Sequence, residues 1–183
     1  MITLNPAAYC ARRYVGPHSR PFQHMTKAQA LASMTPVELE TRRMAYAIKD
    51  PRNTKEINAA GREMALLIPD EKAVLIPIPS SSGSIAANLA LCQAIQRAKP
   101  ILAVAPALRR TAPVESSCKR AKAGLPRLTV SEHRMAPVPF RFNGLPLYFV
   151  DNVTTEGNTL RAAWQCFKRG RGLMFADASP HVF

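Results

Sequence analysis

Apolar residues recur along this chain in short bursts, and the spacing inside each burst predicts an element. Ala73-Val-Leu-Ile-Pro-Ile78 is a nearly unbroken apolar run, the pattern of a strand buried on both faces. Ile101–Val104, Leu145–Asp151 and Gly172–Ala176 repeat it. Between these runs the apolar period lengthens to that of a helix. Ile85 to Arg97 predicts one helix, and Thr159 to Lys168 a second that carries Leu160, Trp164 and Phe167 as core. Strand–helix alternation implies an α/β fold with a largely parallel central sheet flanked by helices.

The first third reads differently. Thr35 before Pro36, with Glu38 three residues after Thr35, predicts a capping box and Pro at the first helical position. Val37, Leu39, Met44, Ala45 and Ile48 form the apolar stripe of that helix, which ends near Asp50-Pro51. Asn53 or Thr54 opens a further helix through about Ile68, stopped by Pro69. Residues 1–34 show no convincing period and read as an irregular arm. The expectation is a single domain: an arm and small N-terminal hood over 1–68, and an α/β core over 69–176. Residues 105–135 are basic, bear Pro and Ser, and lack periodicity. A loop beyond about 12–15 residues in a compact domain is usually functional or disordered, so this stretch is expected to be a mobile lid.

Composition sharpens the choice of partner. The 183 residues are 47% hydrophobic and 20% charged, ordinary for one globular domain. Lys and Arg number 25 against 12 Asp and Glu, a net charge of +13. Such a chain attracts anions: phosphorylated small molecules, nucleic acid or acidic membrane. No run approaches the roughly 18 apolar residues of a membrane span, so no membrane role is expected. The N-terminal segment has no apolar core of about 7–15 residues, as a secretory signal needs. Cys10, Cys92, Cys118 and Cys166 are far apart, and His18, His24, His133 and His181 form no metal-ligand pair. A reducing cytoplasm without structural zinc is the simplest expectation.

Two segments share one design: an apolar strand, a small polar turn, then a helix. The first is Leu75-Ile-Pro-Ile-Pro79 followed by Ser80-Ser81-Ser82-Gly83-Ser84; the second is Leu147-Tyr-Phe-Val-Asp151-Asn152-Val153-Thr154-Thr155-Glu156-Gly157-Asn158-Thr159. A turn at the carboxyl end of a parallel strand presents unpaired backbone N–H groups and a partial positive charge. Glycine lets an oxyanion approach, and Ser and Thr add hydroxyl donors. G-x-x-x-x-G-K-[ST], G-x-G-x-x-G and G-x-S-x-G are all absent, which disfavours a Walker-type nucleotide site, a dinucleotide fold and an α/β hydrolase.

The second segment resembles the phosphoribosyl-pyrophosphate (PRPP) motif of type I phosphoribosyltransferases, whose usual form is four apolar residues, two acids, an apolar pair, Thr or Asp, Thr, Gly, any residue, then Thr or Ser. The Ser80–Ser84 turn resembles that family's pyrophosphate loop, and the 105–135 stretch falls where the family has its lid, so the likeness runs over about residues 70–176. It implies a phosphoribosyltransferase-like fold and transfer of phosphoribosyl between PRPP and a nitrogen base or amine, with pyrophosphate released. Asp151 would hold a ribose hydroxyl beside Asn152, and would act on Mg²⁺ indirectly, through ribose hydroxyls or water. Thr154, Thr155, Glu156, Gly157, Asn158 and Thr159 would wrap the 5′-phosphate. Ser80, Ser81, Ser82 and Gly83 would hold the pyrophosphate with Mg²⁺. Arg109, Arg110, Lys119 and Arg120 are the expected lid cations, and a homodimer is the expected assembly.

The chain departs from the motif twice. Asn152 stands where the family has a second acid. Glu156 lies inside the phosphate loop, where a carboxylate must point outward, pair with a cation such as Arg161, or mark a different ligand. The other residues read plainly. His133 reads as an ordinary loop histidine, Lys49 and Lys55 as surface charges, and Cys118 as a bystander thiol. Residues 97–171 hold 14 of the lysines and arginines against four acids (Glu115, Glu132, Asp151, Glu156). That excess surpasses what one small ligand requires, so the alternatives are a non-catalytic PRPP or nucleotide binder and a nucleic-acid-binding protein. A phosphatase is the weaker third. Nothing in the hood names an acceptor.

Overall fold

The computed structural model describes residues 7–16, 22, 24–116, 119–120 and 123–178. Cys118, His18, His181 and residues 179–183 lie outside the described residues. Among the described residues, seven strands and five α-helices are delimited. They are β1 (Ala8–Arg13), α1 (Lys27–Ala32), α2 (Pro36–Ala47), α3 (Thr54–Ala65), β2 (Val74–Pro77), α4 (Ala86–Ala98), β3 (Ala103–Val104), β4 (Leu108–Arg110), β5 (Met135–Pro137), β6 (Leu147–Thr154), α5 (Asn158–Phe167) and β7 (Arg171–Asp177). Five strands form one all-parallel sheet in the order β1-β7-β6-β2-β3, and β4 pairs β5 antiparallel in a separate ribbon.

Strand alternation sorts the core into two layers. Leu75, Tyr148, Val150, Leu173 and Phe175 face α2, α3 and α4, meeting Met44, Ile48, Ile57, Met64 and Ile95. Val74, Ile76, Phe149 and Met174 face the other way, against Leu160 and Ala163 of α5 and Leu108 of the ribbon. This is the three-layer arrangement the apolar runs predict, because a parallel sheet needs cover on both faces. Among the described residues, no helix is long and apolar enough to cross a membrane.

The crossovers place the ligand end. β2 leads through α4 to β3 on one side, while β6 leads through α5 to β7 on the other. The neighbours β2 and β6 therefore flank the point where the winding reverses, and their carboxyl ends open a crevice there.

Three expectations need correction. Residues 8–13 were read as irregular but form β1, the sheet's edge strand beside β7. The charged Arg12 hid it from the apolar pattern. Its guanidinium donates to both Glu63 carboxylate oxygens, at 2.7 and 2.6 Å, and lies over the Phe175 ring, so the charge is met by α3. The 105–135 stretch is not one loop, because β4 lies near its start and β5 begins at its end. The strand ending at Asp151 runs on to Thr154, since β7 continues to pair it: Val153 sits opposite Ala176 and Thr154 opposite Asp177. The capping box of α2 is present, with Glu38 N–H donating to Thr35 Oγ1 and Thr35 N–H to Glu38 Oε2. Asn53 precedes α3 but caps α2 instead, its Nδ2 donating to Ala47 O at 2.9 Å.

Candidate functional site

The two polar turns are built locally before they meet. After β2, Ser80 N–H donates to Ser84 O at 2.8 Å and Gly83 N–H to Ser80 O at 3.0 Å, closing a tight loop. Gly83 takes φ +91°, open to glycine at little strain. Ser80 Oγ and Ser82 Oγ share a 2.9 Å hydrogen bond. After β6, Gly157 caps α5 in the left-handed region, φ 76° and ψ 7°, without a side-chain cap bond. A Cβ there would meet nothing within 4 Å, so backbone conformation, not space, calls for glycine.

Both turns border one cleft of two adjoining cavities, of about 320 and 230 Å³. Asp151 lines both, at the strand position where β6 leaves the buried sheet. Its Oδ1 accepts from Asn152 N–H at 2.8 Å and from Asn88 Nδ2 at 3.0 Å. Asn88 Nδ2 also donates to Ile78 O at 2.7 Å, which ties α4, β2 and β6 together beneath the cleft. Burial pushes the Asp151 carboxyl above its usual range; the two hydrogen bonds and the cations Lys49 and Arg110 oppose that rise. Asn152 Oδ1 accepts from Val153 N–H at 2.8 Å.

The stretch expected to be a lid is anchored to both turns. Val114 N–H donates to Ser81 O at 2.8 Å. Arg110 reaches from β4, with Nε donating to Ser80 O at 2.6 Å and a terminal nitrogen donating to the His133 carbonyl. At the other turn, Asn158 Nδ2 donates to Leu128 O at 3.0 Å. Glu156 pairs with Arg127 at 3.2 Å, not with Arg161, which donates to Asn158 Oδ1 at 2.8 Å. The carboxylate of the turn after β6 thus faces a cation of the 105–135 stretch.

Of the residues singled out in the sequence, Ser80, Ser81, Arg110, Asp151, Asn152 and Thr154 through Thr159 line the cleft. Ser82, Gly83, Arg109, Lys119 and Arg120 do not. Arg109 is exposed on the alternate face of β4, and Arg120 Nε donates to Pro126 O at 2.6 Å. Three further residues join the site. Asn88 is the polar interruption in an otherwise apolar helix face, a signal that was legible. Lys49, expected to be a surface charge, lines both cavities from the end of α2, and is the one residue of 1–68 to do so among those described. His133, expected to be an ordinary loop residue, is buried and lines both cavities.

The arrangement suits a small polyanion. It offers loop N–H groups, serine and threonine hydroxyls and the cations Lys49 and Arg110, around one carboxylate able to accept from hydroxyls. Neither a family model nor a curated protein matches the chain.

Proposed function

We propose that this protein has a phosphoribosyltransferase-like fold and transfers phosphoribosyl between PRPP and a nitrogen base or amine, releasing pyrophosphate in the cytoplasm. The observation that supports this most is the pairing of two strand–turn–helix loops at the sheet's reversal point, with Asp151 between them. The Thr155–Thr159 turn takes the 5′-phosphate, the Ser80–Gly83 turn the pyrophosphate, and Asp151 a ribose hydroxyl. Fixed donors and cations around the leaving pyrophosphate stabilise its growing charge more in the transition state than in the ground state.

The donor set fits Mg²⁺ that arrives with the substrate. Such an ion is held by one or two carboxylates plus substrate phosphates. Among the described residues, Asp151 is the cleft carboxylate with no arginine in ion-pair contact, whereas Glu156 meets Arg127 and Glu115 lies 3.8 Å from Arg120. Mg²⁺ would supply charge neutralisation at the pyrophosphate.

Thermal unfolding tests the reading. PRPP with Mg²⁺ at about 100 times its Kd adds about 2.7 kcal/mol to stability, which raises Tm by about 5–10 °C in a domain of this size. Asp151→Asn is expected to remove most of that rise. No rise at millimolar PRPP, with no pyrophosphate release across a panel of bases and amines, overturns the proposal.

A second reading has its own observation. A groove of about 420 Å³ between α5 and the β5 ribbon is lined by Arg134 and Lys168 with Ser131 and Gln165, and by no acid. That flank fits the phosphates of a nucleic acid, and its binding is compatible with the enzyme activity.

A further inference from the structure

His133 is the buried side chain whose polar atom finds no partner among the described residues. The residue is 4% exposed, and its Nδ1 is sealed from solvent without a hydrogen bond. The other buried polar side chains are met: Asn88 by Ile78 O and Asp151, and Thr41 by Arg12. An unpartnered buried nitrogen is rare enough in folded proteins to need a reason. Its place in the fold supplies one. His133 closes a short turn, Ser131–His133, at the junction of the two cavities, and Arg134 follows it in the left-handed region at φ 49° and ψ 45°. Arg110 grips the His133 carbonyl and the Ser80 carbonyl together, so the backbone that carries the ring is tied to the pyrophosphate turn.

Burial above all, and then the Arg110 cation, hold the ring neutral, while the Glu132 carboxylate opposes them. Arg110 comes from β4, Lys49 from the end of α2 and Asp151 from β6, while Glu132 is its neighbour in the turn. Arg127 and Glu156 share the second cavity but cancel one another, and Glu115 borders the first. The neutral ring carries one hydrogen, and a second needs an acceptor at Nδ1 that the protein's own residues do not supply. A second cation beside Arg110 becomes favourable only when a multiply charged anion enters.

We propose that His133 contacts the ligand and takes up a proton when a condensed phosphate, pyrophosphate or the diphosphate of PRPP, occupies the cleft. This rests on the PRPP reading and adds proton linkage to it. Burial and the Arg110 cation push the free imidazole down to about 4; a nearby polyanion reverses the second of these causes.

The test is an NMR titration of the histidine ring protons in the whole protein. His133 is assigned by the signal lost in His133→Gln or, should that variant not fold, by elimination with variants of His18, His24 and His181. The free protein is expected to show a His133 midpoint below about 5, rising by at least about one pH unit with bound magnesium pyrophosphate. An ordinary midpoint near 6.5 in the free protein overturns the proposal. So does a midpoint that stays put while other resonances report bound pyrophosphate, an outcome that leaves the PRPP reading standing. Failure of both pyrophosphate and PRPP to bind overturns the PRPP reading, and this linkage with it.

Discussion

At the scale of single residues, the site divides into groups whose chemistry is local and groups defined only by the fold. Asp151 belongs to the first kind, because an acid ending an apolar strand before Thr-Thr-x-Gly-x-Thr announces itself in the sequence. His133 belongs to the second. It lies in an aperiodic stretch, and its turn is held by packing with α5 and by Arg110, 23 residues away in the chain. The same burial has a consequence for stability. The imidazole falls from 6.5 to about 4 on folding, so between those values the unfolded chain holds more of the proton. Stability contributed by the neutral ring is therefore complete above about pH 6.5 and is lost as pH falls toward 4. The slope is at most about 1.4 kcal/mol per pH unit, that of one proton. Urea unfolding at stepped pH should show this loss in the native protein and its absence in His133→Gln. Parallel curves for the two proteins would contradict it.

At the scale of elements, the apolar runs of β2, β6 and β7 and the helical stripes of α2 to α5 were legible, because each buries a face with its own period. The capping box of α2 was legible for the same local reason. What stayed hidden were elements stabilised from elsewhere. β1 depends on Glu63 of α3 to meet Arg12, and β4 on a partner strand far along the chain. Close packing between helices is equally invisible to periodicity. Gly61 sits in α3, where Ala would ordinarily favour the helix by about 1 kcal/mol. A Cβ at that position, however, comes within 2.6 Å of Ala94 Cβ and 2.8 Å of Ala94 carbonyl carbon on α4. Helix backbone cannot yield as a flexible side chain can, and overpacking of this kind costs about 1–3 kcal/mol. Gly61→Ala is therefore expected to lower Tm by several degrees despite its better propensity. A calorimetric Tm equal to or above the native value would show that α3 and α4 separate freely.

At the scale of the whole molecule, net charge pointed to an anionic partner, but only the fold distributes it. Seven of the 12 acids lie between Glu38 and Glu71. Several are spent in ion pairs on the α2–α3 side: Glu40 and Glu56 with Arg43, Glu63 with Arg12, Asp50 with Arg52. The α5 flank is different. Arg169 donates to the carbonyls of Gly144 and Leu145, while Arg134 and Lys168 line the acid-free groove. Neutral acceptors fix Arg169 without cancelling its charge. The flank therefore keeps a positive field away from the cleft, where Arg110 is already engaged by the Ser80 and His133 carbonyls. Binding of a single-stranded oligonucleotide is expected to fall steeply between about 50 and 200 mM salt, and to persist when pyrophosphate saturates the cleft. Arg134→Glu with Lys168→Glu should weaken that binding while leaving the PRPP-induced rise in Tm unchanged, as read by fluorescence anisotropy and thermal unfolding on the same preparations. Displacement of the oligonucleotide by pyrophosphate would instead assign the excess charge to the cleft and remove the reason for a separate polyanion surface.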